Sequence, residues 1–513
     1  MTTARNVIFI LADQLNAAYL GHAGHPQVST PHLDRLAAEG ARFTDAVCSN
    51  PICTPSRVSF LSGQYPHNHL YYGLFGASPG GLPSFLGHCL ERGYHTAAIG
   101  KIHCPDGWIE NHTRVFHETC NSSAAGRSKA YLSFLGPRAA LEDHLLLPEF
   151  GERGRQSMDA RPSPLSFAES QEGWIAAETI RQIDRARSEN KPFAIHASMP
   201  RPHQCTSPSK EFWDLYEGME LQFPATVDDD PRAAGKAPHF IEKAAFWRQS
   251  PWPLVEPRTF LAARQRKLRG YLAAVSQVDA AVGSILQHLR AQGLDDDTLV
   301  IFSADHGEYV TAFGIMEKAP GICADAVTRI PLLMRCPGIA AGRTIADQVH
   351  AVDVAPTICG LLGLSPLATA DGQDLAALLR GEPGVQSRHR VTVTEFAWSK
   401  ALRKGRWRLV WYPQAFFEKQ YPEGFGELYD LAADPHERRN RWHDRDHRDV
   451  VIELERELLN WLVTTTRPRT TQGTSTHPSL VPAGAREQFR CLVQADGRIP
   501  AQSLLTTANL SYL

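Results

Sequence analysis

Residues 48–69 read CSNPICTPSRVSFLSGQYPHNH. Cys53, Thr54, Pro55, Ser56 and Arg57 stand together in this stretch. Proline suits the first position of a helix, and threonine the cap before it. The spacing therefore predicts a helix from about residue 55, capped by Thr54, with Cys53 just ahead of its N-terminus. Unbonded backbone N–H groups and the helix dipole favour an anion at that place. Arg57 adds a fixed positive charge on the following turn. A structural cysteine needs none of this, whereas a reactive one does.

A second group could hold a metal. Asp13, Gln14, Asp305 and His306 each follow a short apolar run. They offer mainly oxygen ligands with one imidazole, a set that favours Ca²⁺, Mg²⁺ or Mn²⁺ over zinc. The expected cofactor is one divalent cation, Ca²⁺ first and Mn²⁺ as the alternative. Lys101, His103, His203 and Lys318 would surround it with donors. Carboxylates for a cation beside several positive groups suit an anionic ester, whose charge must be neutralised during reaction.

The apolar runs that must carry these residues are short and rich in Val, Ile and Phe. They cover 6–13 (NVIFILAD), 95–103, 192–203 and 298–306. Helical or irregular stretches separate them, as buried parallel strands require. Helical patterns fall at 32–40, 84–93, 174–187 and 270–293, the last reading as a surface helix that ends near a glycine. The alternation predicts an α/β fold with a largely parallel central sheet flanked by helices. In such sheets ligands bind beyond the carboxyl ends of the strands, where the polar residues above fall. Segments 391–398, 401–413 and 426–435 read as an antiparallel meander, and 450–466 as an amphipathic helix. The expected organisation is a catalytic domain over 1–385, a smaller C-terminal α+β domain over 386–466, and an arm or tail over 467–513 that would join copies of the chain.

The 513 residues carry a net charge of −2, which points away from nucleic acid and from anionic membranes. No apolar run reaches the ~18 residues of a membrane span. The first run ends at Asp13 and reads as a strand rather than a signal peptide, so the expected location is cytoplasmic. The 10 cysteines have no regular spacing and should stay reduced there. Cys89, Cys336 and Cys359 lie in apolar surroundings, as core residues do.

The pentapeptide at 53–57 resembles the Cys-x-Pro-Ser-Arg signature of the type I sulfatases, in the alkaline-phosphatase-like superfamily. The likeness extends through NVIFILADQ, the stretch STPHLDRLAAEG to SGQYPH, GYHTAAIGKIH, SADHGE, Lys318, RIPLLMRCPG, VDVAPTICGLLG and ELYDLAADPHERRN. It spans roughly residues 5 to 440. It implies an alkaline-phosphatase-like fold and hydrolysis of an organic sulfate monoester. It further implies that a formylglycine-generating enzyme oxidises Cys53 to Cα-formylglycine, whose hydrate attacks sulfur with one hydroxyl and expels sulfate with the other. By the same resemblance Asp13, Gln14, Asp305 and His306 bind the cation beside residue 53. Arg57 and Lys101 orient the hydrated aldehyde, and His103 takes the proton of its second hydroxyl. His203 and Lys318 contact the ester, and either one could assist the leaving oxygen.

Many members of the family carry Asp-Asp and Asp-Asn at the two metal positions. The pairs Asp13-Gln14 and Asp305-His306 resemble the branch of choline sulfatases and phosphonate monoester hydrolases. Asp325 is a candidate for an acid that often follows the Lys318 equivalent. A phosphonate monoester or phosphodiester hydrolase is therefore the rival reading within the fold, and a non-catalytic binding protein the rival outside it. His67 and His69 are weaker candidates for substrate contact. Trp174, Trp247 and Trp252 read first as core aromatics, and His350 with Asp353 as a packing motif. The leaving-group loops are expected within 105–170 and 205–265.

Overall fold

The computed structural model describes residues 4–73, 81–119, 129–142, 159–204, 206–249, 255–318 and 323–467. Trp252 and residues 468–513 of the expected arm lie outside them.

Nine strands of the described residues form one sheet. They are β1 (Asn6–Asp13), β2 (Ala41–Val47), β3 (His95–Gly100), β4 (Val115–Glu118), β5 (Phe193–Pro202), β6 (Thr298–Ala304), β7 (Arg329–Arg335), β8 (Arg343–Ile345) and β9 (Val349–His350). The order is β4-β3-β5-β1-β6-β7-β2-β8, with β9 also on β2. The run β4-β3-β5-β1-β6 is parallel throughout, while β7 runs antiparallel to both of its neighbours. Strand β1 lies between β5 and β6 in the parallel run and is buried at every residue. Its unbroken apolar sequence is what a strand covered on both faces needs. Each parallel strand brings its carboxyl end to the same sheet edge. Asp13, Lys101, His203 and Asp305 all stand at or just beyond those ends.

The sheet–helix contacts explain two departures from the sequence reading. The helix predicted over 270–293 as a surface element begins at Phe260 and runs to Ala291, with most of its residues from Leu268 to Leu289 buried. It packs against a neighbouring helix, Gln171–Ser188, and against β5, so its small residues serve close packing. The signature helix spans Cys53–Ser62. Ile52, not Thr54, is its N-cap, and Cys53 is its first residue. Pro55 lies in the third position, where its missing N–H is still one that has no partner inside the helix.

A second sheet is antiparallel throughout: β10 (Thr392–Glu395), β11 (Lys400–Lys404), β12 (Trp407–Trp411) and β13 (Gly426–Asp430). The helix Arg448–Thr465 lies on it through Val451, Leu454, Leu458 and Trp461, which share an apolar cluster with Val393, Leu402, Leu409 and Leu428. Among the described residues, no helix is long and apolar enough to cross a membrane.

Candidate active site

Two strand ends and one helix start build the centre. Asp13 closes β1, and Asp305 follows the last residue of β6. The register of the two strands pairs Ala12 with Ala304, so the two aspartates emerge side by side. Between them the signature helix presents Cys53. One ligand atom from each of Asp13, Cys53, Asp305 and His306 falls within 4.8 Å of all the others, and all four residues are buried. Cys53 Sγ is 3.3 Å from His306 Nε2 and 3.9 Å from Asp13 Oδ1. Two carboxylates, an imidazole and a thiol this close, shut off from water, suit a divalent cation in their midst.

Arg57 lies one turn into the helix and is wholly buried. Its guanidinium joins both carboxylates, with Nη2 at 2.9 Å from Asp13 Oδ2 and Nε at 2.9 Å from Asp305 Oδ2. Nη1 donates to Ser198 Oγ at 2.7 Å and to the carbonyl of Lys101. One cation thus ties β1, β3, β5 and β6 together behind the cluster. Lys101 Nζ reaches Asp13 Oδ2 at 2.5 Å. Lys318 Nζ lies 3.4 Å from Cys53 Sγ and donates to Gln14 Oε1 at 2.8 Å. His103 helps to lower the Cys53 thiol, and Cys53 counters the depression of His203, so both imidazoles stand near that sulfur. Asp13, Gln14, Cys53, Arg57, Lys101, Asp305, His306 and Lys318 are thus joined through direct contacts around one point.

Charge in this closed space shifts the titrations. Burial alone would raise the Cys53 thiol, but Lys318, Lys101 and His306 outweigh it and hold the thiol well below its ordinary value. Burial and the Cys53 charge push Asp13 up, yet Lys101, His203 and Arg57 hold it below the usual carboxylate range. Burial and the neighbouring Asp13 carboxylate raise Asp305. Burial, then Lys101 and Lys318, depress His203 to about 4. Lys318, Lys101 and His306 around one thiol make a place for an anion.

Several supporting residues were missed from sequence. Glu118, at the end of β4, accepts the backbone N–H groups of Ile102 and His103 at 3.1 and 2.8 Å. It steadies His103, whose φ of 46° lies in the left-handed region. Ser198 of β5 bonds Arg57, and Gln204 directly follows His203. A lone glutamate or serine carries no spacing signal, so only the fold reveals these. The weaker candidates turn away from the centre. His67 Nδ1 pairs with Glu395 at 2.7 Å, and buried His69 bonds Ser59, within the signature helix, at 3.0 Å. Trp174 packs on Tyr131 and His117, and Trp247 is buried among apolar side chains. His350 bonds the Val393 carbonyl, and Asp353 pairs with His389. Asp325 is held by Arg403 at 2.7 Å and by Arg329 at 3.5 Å.

The largely parallel sheet with its site at the strand ends, joined to the smaller antiparallel sheet, is the alkaline-phosphatase-like hydrolase fold. A phosphonate monoester hydrolase of Agrobacterium radiobacter superposes with a TM-score of 0.72 at 24% identity, covering 90% of this chain and 96% of that one. The Sulfatase family model matches residues 5–364, and the chain belongs to the sulfatase family. It is a sulfuric ester hydrolase. A second model, N-sulphoglucosamine sulphohydrolase, C-terminal, matches residues 322–464. The chain is 26% identical to an ulvan-active sulfatase of Formosa agariphila over 89% of its length and 80% of that protein's. It is 27% identical to a choline-sulfatase of Rhizobium meliloti over 86% of its length and 83% of that protein's.

Proposed function

We propose that the protein hydrolyses an organic sulfate monoester to an alcohol and sulfate, with residue 53 as nucleophile after its conversion to Cα-formylglycine. The observation that carries this reading is the position of Cys53. It is the first residue of a buried helix, packed against two aspartates and His306, and ringed by Lys101 and Lys318. A divalent cation, Ca²⁺ or Mn²⁺, held by Asp13, Gln14, Asp305, His306 and residue 53 would polarise an ester oxygen and neutralise charge. The formylglycine hydrate would supply a hydroxyl nucleophile at residue 53.

The other groups divide the remaining work. Arg57 holds the two aspartates at a fixed separation. Lys101 and Lys318 balance the charge of the substrate. His103 accepts a proton at residue 53, and His203 or Lys318 hands one to the departing alcohol oxygen, a kind of assistance worth about 10²–10⁴-fold. Residues 1–385 carry this chemistry, and 386–466 buttress it. The formylglycine-generating enzyme is the maturation partner, and a cytoplasmic location agrees with the free state of all seven cysteines among the described residues.

The donor set supports a second reading, hydrolysis of a phosphonate monoester or phosphodiester. Gln14 and His306 leave the site with the carboxylates of Asp13 and Asp305 only, a balance open to either anion. Rates on p-nitrophenyl sulfate and p-nitrophenyl phenylphosphonate separate the two. Faster turnover of the sulfate is expected, and faster turnover of the phosphonate reverses the assignment. Peptide mass spectrometry of the co-expressed, matured protein should find residue 53 as the aldehyde or its hydrate. Active protein carrying only cysteine there would refute the mechanism.

A further inference from the structure

The Gln14 side chain has one orientation that satisfies its neighbours. Its Oε1 accepts from Lys318 Nζ at 2.8 Å. Its Nε2 donates to Glu308 Oε2 at 2.9 Å and to Gln204 Oε1 at 2.9 Å. A lysine only donates and a carboxylate only accepts. Turning the amide over would set NH₂ against an ammonium and an oxygen against a carboxylate. Lys318 Nζ is also 3.4 Å from Cys53 Sγ, and the Gln14 N–H donates to Asp305 Oδ1 at 2.9 Å, so the lysine that holds the Gln14 oxygen and the Gln14 backbone both touch the cluster of Asp13, Cys53, Asp305 and His306.

Glu308 is itself tightly held. Lys267 Nζ lies 2.9 Å from its Oε1, and both side chains are fully buried. Asn16 Nδ2 donates to its carbonyl at 2.7 Å. One turn beyond Lys267 on the long helix Phe260–Ala291, the Tyr271 hydroxyl donates to the Gln14 carbonyl and accepts from the Asn16 N–H, each at 2.8 Å. These bonds hold Gln14 at a φ of 63°, a left-handed conformation that is unfavourable for a non-glycine residue. A buried ion pair contributes little net stability, because desolvation offsets the attraction. The Lys267–Glu308 pair is therefore better explained by what it orients.

We infer that Glu308, backed by Lys267, is a positioning residue that locks the Gln14 carboxamide with its oxygen toward the cation. This rests on the reading that the cluster binds a divalent cation. The need belongs to the amide alone. A carboxylate at position 14 would present oxygen whichever way it turned, whereas glutamine presents oxygen in one of two orientations.

The test is a double-mutant cycle read by calorimetric titration of metal-free protein with Ca²⁺ and Mn²⁺. With Gln14 in place, Glu308→Gln should weaken cation binding about 10–100-fold, the usual effect of removing a hydrogen bond that orients a ligand. In the Gln14→Glu background the same substitution should cost nothing. An equal loss in both backgrounds would show a general structural role and overturn the inference, as would no loss with Gln14 in place. A crystal structure of the cation-loaded wild type checks the same point without a variant that must fold. Gln14 Oε1 on the ion with Nε2 on Glu308 supports the lock, and Nε2 toward the ion, or Gln14 swung away, overturns it. Wild-type protein that binds neither ion would instead overturn the cation reading, and the inference with it.

Discussion

At the residue scale, charges confined without water decide what each group can do. Asp13 and Asp305 share one buried guanidinium. Asp13→Ala or Asp305→Ala should abolish bound cation by elemental analysis and lower kcat/KM by about 10³-fold or more, since a cation supplies several kcal/mol to such a transition state. Either change also leaves Arg57 short of a buried partner, which typically costs about 3–5 kcal/mol and should appear as a lower denaturation midpoint. Full metal occupancy in both variants would remove these residues from the site. His103 makes a separable prediction. If it accepts the proton that drives sulfate release, it acts after the alcohol has gone. His103→Ala should then give a burst of p-nitrophenol, stoichiometric with active sites, before a slow steady state. A slowed first phase without a burst would instead make His103 a leaving-group acid.

At the element scale, the ends of strands set the geometry. Strand β3 closes at Gly100, whose φ is 103° and whose added Cβ would fall 1.9 Å from the Ser198 carbonyl on β5. Lys101 and His103 hang directly from this point. Gly100→Ala must therefore pay twice, in backbone strain and in separation of two paired strands. A loss of at least about 3 kcal/mol is expected, with activity falling further than stability because Lys101 moves. Gly93 offers the control. Its φ is 83°, but nothing lies within 4 Å of a Cβ there, so Gly93→Ala should cost only the strain of about 1–2 kcal/mol and leave kcat unchanged. Equal effects in chemical denaturation would discount the close contact at Gly100.

At the scale of the whole molecule, the antiparallel sheet clamps the signature helix at both ends. Before the helix, the Glu395 N–H donates to the Ser49 carbonyl at 2.8 Å, and Thr394 Oγ1 donates to the Cys48 carbonyl at 2.6 Å. After it, the Glu395 carboxylate takes His67, and Lys400 stands 3.5 Å away. Burial would raise the Glu395 carboxyl, but the bond from His67, its charge and Lys400 hold it below its ordinary 4.5. A depressed carboxylate adds stability that is fully present above the unfolded value and lost as pH falls through the folded one. Glu395→Gln should therefore remove part of the acid sensitivity below about pH 4.5, measured as a flatter denaturation midpoint in that range. An unchanged acid limb would show that the clamp does not depend on the charge. A chain stopped at residue 385 should lose the clamp altogether and show a lower denaturation midpoint than the full chain.

The sequence by itself determined the family and the main strands. NVIFILAD and TLVIFSAD are continuous apolar runs ending in acids, and a strand buried on both faces has no other way to be written. The motif from Cys53 to Arg57 was legible because it packs a helix start, a cysteine and an arginine into five residues. Only the tertiary structure decided which charges meet. Residues 13, 53, 101, 203 and 305 come from separate connections of the sheet, with 318 further along the connection of 305, and no local pattern encodes the distances among them. The burial of helix 260–291 also escaped the sequence, since Lys267 fell outside the predicted span and only the fold shows Lys267 and Gln277 satisfied inside by Glu308 and Glu172. Glu308, Glu118 and Ser198 were silent for the same reason. A polar side chain declares its purpose through a partner far away in the chain, and folding alone supplies that partner.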